Sequence, residues 1–191
     1  MMRSAVAALL AAGTVLAADP PASDSSPQAE QYFSVTEARD RVYGPGLIWR
    51  DTVCQVDSVL RTELYDETGL LEADSLVRLS YGADSAGTPL GAYRVASEVG
   101  KYLPFEFLVA LDGGGKVLDV VVLNYRESRG GEVRRERFLQ QYHGKLASSP
   151  VRLNRDILGI AGATLSAWAV NRGVKKTLWW CDRIRSSGVK P

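Results

Sequence analysis

The sequence predicts a single α+β domain after a signal peptide, with helices packed against a mostly antiparallel sheet. Two observations support this fold class. Runs rich in Val and Leu occupy residues 88–125, and the Gly-rich turn Asp112–Gly115 between two of them favours a hairpin. The last part of the chain instead has apolar residues three to four apart, which is typical of a helix with one buried face. We find no internal repeat.

The N-terminus has the pattern of a secretory signal peptide over residues 1–17. Arg3 precedes an apolar run, and Val15 and Ala17 supply the small-residue pattern before a cleavage site, so we expect the mature chain to begin near Ala18. The run is shorter than the ~20 residues of a spanning helix, and an uncleaved anchor is the alternative. Residues 18–31, rich in Pro, Ser and Ala, predict a flexible linker. The protein is therefore expected to be periplasmic or otherwise exported, and an association with the membrane stays open.

Local patterns predict the remaining elements. Ser34, followed three residues later by Glu37, predicts a helix that begins with a capping box. A second helix is expected over residues 57–65, ending near Gly69. Strands are expected over residues 88–99, 105–111 and 116–125, an added edge strand over 76–81, and helices over 133–142 and 164–180.

The start of the last predicted helix is the most informative point of the chain. Gly162 has no Cβ and permits close approach, and Thr164 is a favoured N-cap residue. The free amides of the first turn and the positive end of the helix dipole predict an anion site beside Thr164. The predicted buried stripe of this helix is Ala167, Val170, Val174, Leu178 and Cys181, and the residues expected to face water are Asn171, Arg172, Lys175 and Lys176.

Composition excludes several kinds of function. The net charge of +1 favours neither nucleic-acid binding nor bulk binding to anionic membranes. Basic residues are nevertheless concentrated between residues 126 and 155. They form either an ordinary hydrated surface or a patch that steers anions or docks a partner. The residues are Arg126, Arg129, Arg134, Arg135, Arg137, Lys145, Arg152 and Arg155.

No Cys/His spacing of a metal or haem site occurs. Cys54 and Cys181 are predicted to form a disulfide after export, with two separate buried thiols as the alternative.

The sequence offers no catalytic constellation. It has no Gly-x-Ser-x-Gly motif, and its only histidine, His143, has neighbours that favour a helix-end cap over catalysis. Basic surroundings favour salt links for Glu132 and Glu136. Glu127 differs from them because it follows a predicted strand.

Residues 156–166 resemble the flavinylation motif of FMN-binding domains, which is roughly Asp-x-x-Ser/Thr-Gly-Ala-Thr-x-Ser. In that family the threonine is esterified to the FMN phosphate. The resemblance implies FMN attached to Thr164, with Gly162, Ala163, Leu165 and Ser166 beside it. The sequence departs from the motif in having Leu158 in place of the aspartate and Ala161 in place of the Ser/Thr.

The resemblance continues upstream of the motif and covers about residues 87–180. Exported members of the family have, in this order, a Glu, a Gly, a Phe-Leu-x-Gln-aromatic segment and a Gly-Lys pair. The matching positions here are Glu127, Gly130, residues 138–142, and Gly144 with Lys145. We therefore predict an FMN-binding domain over residues 87–181, preceded by an N-terminal part of the domain over 32–86 and followed by a tail over 182–191. Glu127 and Lys145 are added to the predicted cofactor-binding residues. Arg155 is a further candidate for the phosphate, and Tyr125, Tyr142 and Trp168 are candidates for the flavin ring.

The resemblance implies an electron carrier, similar to the flavin-bearing subunits of Rnf- and Nqr-type membrane complexes. A flavin's redox chemistry resides in the cofactor, so the absence of catalytic side chains fits this function. The implied partners are a flavin transferase that attaches FMN and membrane electron-transfer proteins. Two alternatives stay open: a flavin-free binding or assembly module of the envelope, and an oxidoreductase with noncovalent FMN.

Overall fold

The computed structural model describes residues 30–187, so the predicted signal peptide and nearly all of the predicted linker lie outside the described residues. The helices are α1 Val35–Tyr43, α2 Ser58–Thr68, α3 Glu136–Leu139 and α4 Thr164–Ser186, and 3-10 turns cover Gly131–Arg134 and Gln140–Tyr142. The strands are β1 Glu30–Gln31, β2 Ile48–Gln55, β3 Leu76–Ala83, β4 Pro89–Val99, β5 Pro104–Asp112, β6 Val117–Val122 and β7 Asn124–Tyr125. Within residues 30–187, strand pairing already includes Glu30 and Gln31, which belong to the segment predicted as linker. None of the described helices is long and apolar enough to cross a membrane.

Five strands form an antiparallel sheet in the order β2-β3-β4-β5-β6, and β1 pairs with β7 in a small second sheet. This arrangement confirms the α+β fold class. The prediction that residues 76–81 form an edge strand was wrong, because β3 lies between β4 and the unpredicted β2. The charged side chains of Arg50 and Asp51 interrupt the apolar pattern of β2 and concealed it.

The predicted capping box of α1 and the predicted hairpin turn after β5 are confirmed. The Ser34 hydroxyl accepts from the Glu37 amide at 3.2 Å, and the Glu37 carboxylate accepts from the Ser34 amide at 2.8 Å, which completes the capping box of α1. Between β5 and β6, Asp112 Oδ1 accepts from the amides of Gly114 and Lys116 at 2.8 and 2.9 Å. These bonds close the predicted hairpin turn.

Helix α4 packs against β4 and β5 and provides much of the core. All five residues of its predicted stripe are buried. Two residues predicted to face water, Asn171 and Lys176, are also buried, at 4% and 7% exposure, and Arg172 and Lys175 are half-buried. The helix is therefore covered on a wider face than its apolar spacing indicates.

Lys176 is buried because an ion-pair cluster receives it. Its Nζ lies 2.9 Å from Glu98 and 3.6 Å from Glu72. The Glu72 carboxylate also accepts from Arg94 and from the Trp180 indole, both at 3.1 Å. Polar side chains thus enter the interface between α4 and the sheet where sequence spacing alone predicts water.

The predicted helix over residues 133–142 is interrupted. Arg135 has an extended ψ of 128° and separates the 3-10 turn Gly131–Arg134 from the short α3. His143 follows the last 3-10 turn, with its amide bonded to the Gln140 carbonyl at 3.1 Å, as predicted for a helix end. The expected salt links of Glu132 and Glu136 are not formed among residues 30–187, and Glu136 instead accepts from the Gln140 side chain at 2.8 Å.

The predicted disulfide between Cys54 and Cys181 was wrong, because both are free thiols. Cys54 lies on the outer strand β2, and its Sγ contacts the carbonyl oxygen of Gln55 at 3.7 Å. The Cys181 thiol instead faces Arg185 and the Gly115 turn at the far end of α4. The two thiols therefore have different neighbours and are not bridged.

Candidate functional site at the start of α4

The start of α4 carries no side-chain cap. The N-cap position is occupied by Ala163, with φ −123° and ψ 29°, and Thr164 is the first helical residue. The prediction of Thr164 as the N-cap was therefore wrong by one residue, and the reason is that the helical dihedrals already begin at Thr164. Its side chain is exposed, as is Gly162 in the turn before it.

The first turn of α4 leaves backbone donors available beside the Thr164 hydroxyl. The first helical hydrogen bond is donated by the Ala167 amide to the Ala163 carbonyl, at 2.9 Å. The amides of Thr164, Leu165 and Ser166 consequently have no partner within the helix. Free amides and the positive end of the helix dipole favour an anion at this position.

A buried hydroxyl pair holds this turn to the loop after β7. The oxygens of Tyr125 and Ser166 are 2.7 Å apart, and the Tyr125 hydroxyl donates to the Arg129 carbonyl at 2.8 Å. Because the single phenolic proton is used on Arg129, Ser166 is the donor to Tyr125. Burial of Tyr125 raises the pKa of its phenol, which stays protonated at neutral pH. Ser166 is thus brought into the site as a structural contact, with its side chain buried.

Gly130 permits this contact. Its φ of 93° lies in the left-handed region, and a Cβ built on it lies 2.5 Å from Ser166 Oγ and closer still to the Tyr125 hydroxyl. A side chain at this position would displace both oxygens. The glycine of the sequence pattern therefore has a steric function at the start of α4.

Glu127 lies beside the same turn and binds backbone amides. Its Oε1 accepts from the amides of Tyr102 and Leu103 at 2.7 and 2.9 Å. A Cβ built on Gly100 would lie 3.0 Å from Glu127 Oε1 and 3.5 Å from Ser166 Oγ, so the β4–β5 turn also borders the site. Sequence reasoning missed this turn, because its residues carry no chemical motif.

Lys145 and Arg155 lie apart from this group of contacts. The main chain of Lys145 accepts from the Val117 amide at 2.9 Å, which places it at the start of β6. Hydrogen bonds from Arg152, with a smaller contribution from Lys145, hold the pKa of the Asp156 carboxyl below its usual range. Arg155 is exposed, and no described contact joins either cation to the first turn of α4.

The aromatic candidates are separated by their exposure. Tyr125 and Tyr142 are buried at 4% and 0% exposure, whereas Trp168 is 41% exposed one turn after Thr164. Tyr102, which sequence reasoning missed, is 73% exposed in the turn bound by Glu127. Only the latter two of these four rings are available to a ligand.

A cleft of about 950 Å3 lies behind Gly130, between the loop after β7 and the outer side of β6. It is bordered by Glu127 and Gly130, but Thr164 does not line it. His143 Nε2 lies at its wall, 3.3 Å from Asp119 Oδ1. No group of three or more His, Cys, Asp or Glu suited to a metal occurs among residues 30–187.

Comparison with known proteins agrees with the sequence resemblance. The FMN-binding domain family matches residues 100–178. The NqrC protein of the Na+-translocating NADH-quinone reductase from Parabacteroides distasonis is 15% identical, with a TM-score of 0.51 over 76% of this chain and 82% of that chain. NqrC from Shewanella oneidensis is 13% identical, with a TM-score of 0.45 over 66% of this chain and 76% of that chain. No curated protein matches the sequence significantly.

The matched segment contains every predicted cofactor-binding residue, from Glu127 and Lys145 to the turn that presents Thr164. The solved structure from Parabacteroides distasonis shares the fold of this chain. Residues 100–178 therefore match the FMN-binding domain family, and the chain is similar in fold to the quinone-reductase subunit from Parabacteroides distasonis.

Proposed function

We propose that this protein is an exported flavoprotein that carries electrons in the cell envelope, with FMN linked through a phosphoester to Thr164. One observation carries the proposal of the linkage: the exposed Thr164 hydroxyl lies beside backbone amides that have no partner within the helix. The family match supplies the identity of the cofactor.

The residues at the start of α4 fit the phosphate of FMN. The uncapped first turn offers amide donors, and the absence of an acidic residue in that turn avoids repulsion of the anion. A covalent link requires Thr164 Oγ1 to lose its proton and displace a leaving group at phosphorus. This step needs a flavin transferase that accepts the proton and supplies FMN as a phosphoanhydride, whose second phosphate group leaves.

The bound FMN would supply the electron-transfer chemistry, and the side chains of this protein would hold and orient it. Trp168 and Tyr102 are the exposed aromatic residues on the two segments that border Thr164. Glu127 and Ser166 serve this site indirectly, because their polar atoms are bonded to the β4–β5 turn and to Tyr125.

The envelope location rests on the signal-peptide pattern of residues 1–17. Electron transfer to or from membrane proteins follows from the proposed function, and the NqrC protein of a Na+-translocating NADH-quinone reductase provides the analogy. N-terminal sequencing of the protein from the envelope fraction should give a start near Ala18. A cytosolic protein that retains Met1 would contradict the proposed export.

Two alternatives have specific support. Leu158 and Ala161 depart from the flavinylation motif, which favours a flavin-free binding or assembly module. The exposed helix start could also bind the FMN phosphate without a covalent bond, as in an oxidoreductase with its own substrate. A yellow colour that survives denaturation supports the proposed carrier, a colour lost on denaturation supports noncovalent FMN, and a colourless protein supports the module.

Intact mass tests the linkage. The mature protein co-expressed with a flavin transferase should gain one FMN adduct, which Thr164→Ala should abolish and Thr164→Ser should retain in part. Thr62→Ala is the matched control, because Thr62 is another exposed threonine near the start of a helix, and this variant should keep the adduct. An adduct that persists in Thr164→Ala would place the linkage elsewhere.

A further inference from the structure

Four exposed apolar side chains lie on two segments that meet at the first turn of α4. Leu165 and Trp168 are 50% and 41% exposed on the first turns of α4, and Val99 and Tyr102 are 50% and 73% exposed on the β4–β5 connection. Isolated exposed apolar residues are common, but a group of them around one point indicates a binding surface.

Direct contacts bring the two segments together. Arg172, one turn beyond Trp168 on the same helix, donates to the Val99 carbonyl at 2.9 Å. In the residue after Val99, a Cβ built on Gly100 would lie 3.5 Å from Ser166 Oγ. The four apolar residues, Val99, Tyr102, Leu165 and Trp168, therefore form one surface, which we call the α4-start surface.

This surface is held in one shape. Glu127 fixes the amides of Tyr102 and Leu103, and Arg172 fixes Val99 through its carbonyl and is itself bound to Glu98 at 3.1 Å. A surface that is already ordered loses little conformational entropy when it binds.

The polar rim of the α4-start surface is cationic. Lys101 lies over the Tyr102 ring at 4.7 Å, and Arg126 is exposed next to Glu127. Neither cation forms a salt bridge within residues 30–187. The nearby carboxylates, Glu98 and Glu127, are already bonded to Arg172 and Lys176 and to backbone amides. Because backbone amides are neutral, Glu127 keeps its charge and offsets one of the two cations, so Lys101, Arg126 and Glu127 together carry a net charge of +1.

We propose that the α4-start surface docks an acidic redox protein, which meets the apolar centre with an apolar patch and the rim with carboxylates. An apolar centre with a charged rim is the usual anatomy of a transient interface, and charge complementarity favours an acidic partner. This inference rests on the proposed function, because the docked protein would exchange electrons with a flavin on Thr164.

The test is a binding titration that does not need the flavin. The mature, isotope-labelled Thr164→Ala protein is titrated with plastocyanin, a small acidic redox protein, and separately with mitochondrial cytochrome c, a small basic one. At low ionic strength we expect plastocyanin to shift the resonances of Tyr102, Leu165 and the Trp168 indole, and we expect cytochrome c to leave them unchanged. Added salt should weaken the binding of plastocyanin, because the rim charges are exposed.

Charge reversal provides the matched comparison. Lys101→Glu with Arg126→Glu should weaken plastocyanin binding at least tenfold at low ionic strength. The control pair, Arg50→Glu with Lys116→Glu, makes the same change in net charge on the outer strand β2 and on the β5–β6 turn, and should have less than a threefold effect. Equal weakening by both pairs would show that net charge alone drives the binding and would overturn the proposal.

Two further outcomes are separated by the same samples. In the first outcome, the protein sediments with phosphatidylglycerol vesicles but does not bind plastocyanin, and the Lys101→Glu/Arg126→Glu variant no longer sediments. The surface then docks on an anionic membrane, and the proposal is wrong. If intact mass shows no FMN adduct while plastocyanin still shifts the α4-start resonances, the docking surface stands and the proposed flavin linkage fails.

Discussion

Replacement of Gly130 by alanine tests whether the contact between Tyr125 and Ser166 holds the start of α4 in place. The new methyl group would lie 2.5 Å from Ser166 Oγ and would also overlap the Tyr125 hydroxyl. Both oxygens are buried and bonded to each other, so rotation of one hydroxyl cannot relieve the overlap. We expect Gly130→Ala to separate the loop after β7 from the first turn of α4.

The expected loss in the free energy of unfolding of Gly130→Ala is the sum of three contributions. The left-handed backbone at φ 93° costs a non-glycine residue about 1–2 kcal/mol. Loss of the Tyr125–Ser166 hydrogen bond costs about 1 kcal/mol. Overpacking of a buried contact adds about 1–3 kcal/mol. Gly130→Ala should therefore lower the free energy of unfolding by roughly 3–6 kcal/mol.

Urea unfolding of four variants, Gly130→Ala, Gly144→Ala, Ser166→Ala and the Gly130→Ala/Ser166→Ala double variant, measures these contributions separately. Gly144→Ala is the control, because Gly144 has φ 72° but no atom within 4 Å of its Cβ position, so only the backbone cost of about 1–2 kcal/mol should appear. Adding Ser166→Ala to Gly130→Ala removes one of the two clashing oxygens, and the double variant should be more stable than additivity predicts. Equal destabilisation by Gly130→Ala and Gly144→Ala would refute the steric reasoning.

Three further predictions concern the ion-pair cluster, the thiols and the motif. Lys176→Met should lower the free energy of unfolding by about 3 kcal/mol, because it leaves the buried carboxylates without one of their cations. Lys175→Met, the control, should lower it by only about 1 kcal/mol. Similar losses for the two variants in urea unfolding would contradict the prediction. Both cysteines should react with Ellman's reagent in denatured, unreduced protein. In the native protein Cys181 should react slowly, because burial raises the pKa of its thiol to about 11. Fewer than two reactive thiols after denaturation would support the disulfide instead. Leu158→Asp with Ala161→Ser should raise FMN occupancy measured by intact mass, since both side chains are exposed to a transferase, and unchanged occupancy would show that neither position matters.

Local signals predicted the elements that local interactions specify. The capping box of α1 and the Asp112 turn depend on residues within four positions of each other, and both are confirmed. Strand β2 was missed because Arg50 and Asp51 interrupt its alternation, and its pairing partner β3 lies far along the chain. Lys176 was placed in water because its ion-pair partners, Glu72 and Glu98, come from distant segments.

In the candidate site, too, features set by neighbouring residues were predicted and contacts between distant segments were not. The motif correctly indicated the turn before α4, it lies within the segment that matches the FMN-binding domain family, and Thr164 is exposed there. The roles of Glu127 and Ser166 could not be predicted, because they bind backbone amides and a tyrosine from segments brought close only by the fold. Lys145 matched the family order, yet the structure leaves it beside Asp156.

The charges that concealed β2 also govern how this sheet meets other molecules. A sheet edge presents unpaired amides and carbonyls to which a second chain can add a strand. In the middle of that edge Arg50 is exposed, and Asp51 binds Ser80 and Arg78 on the neighbouring strand. A copy that added a strand to this edge would have to place its own side chains beside these charges and strip them of water. The same two residues that weaken the strand signal therefore protect the protein from edge-to-edge aggregation.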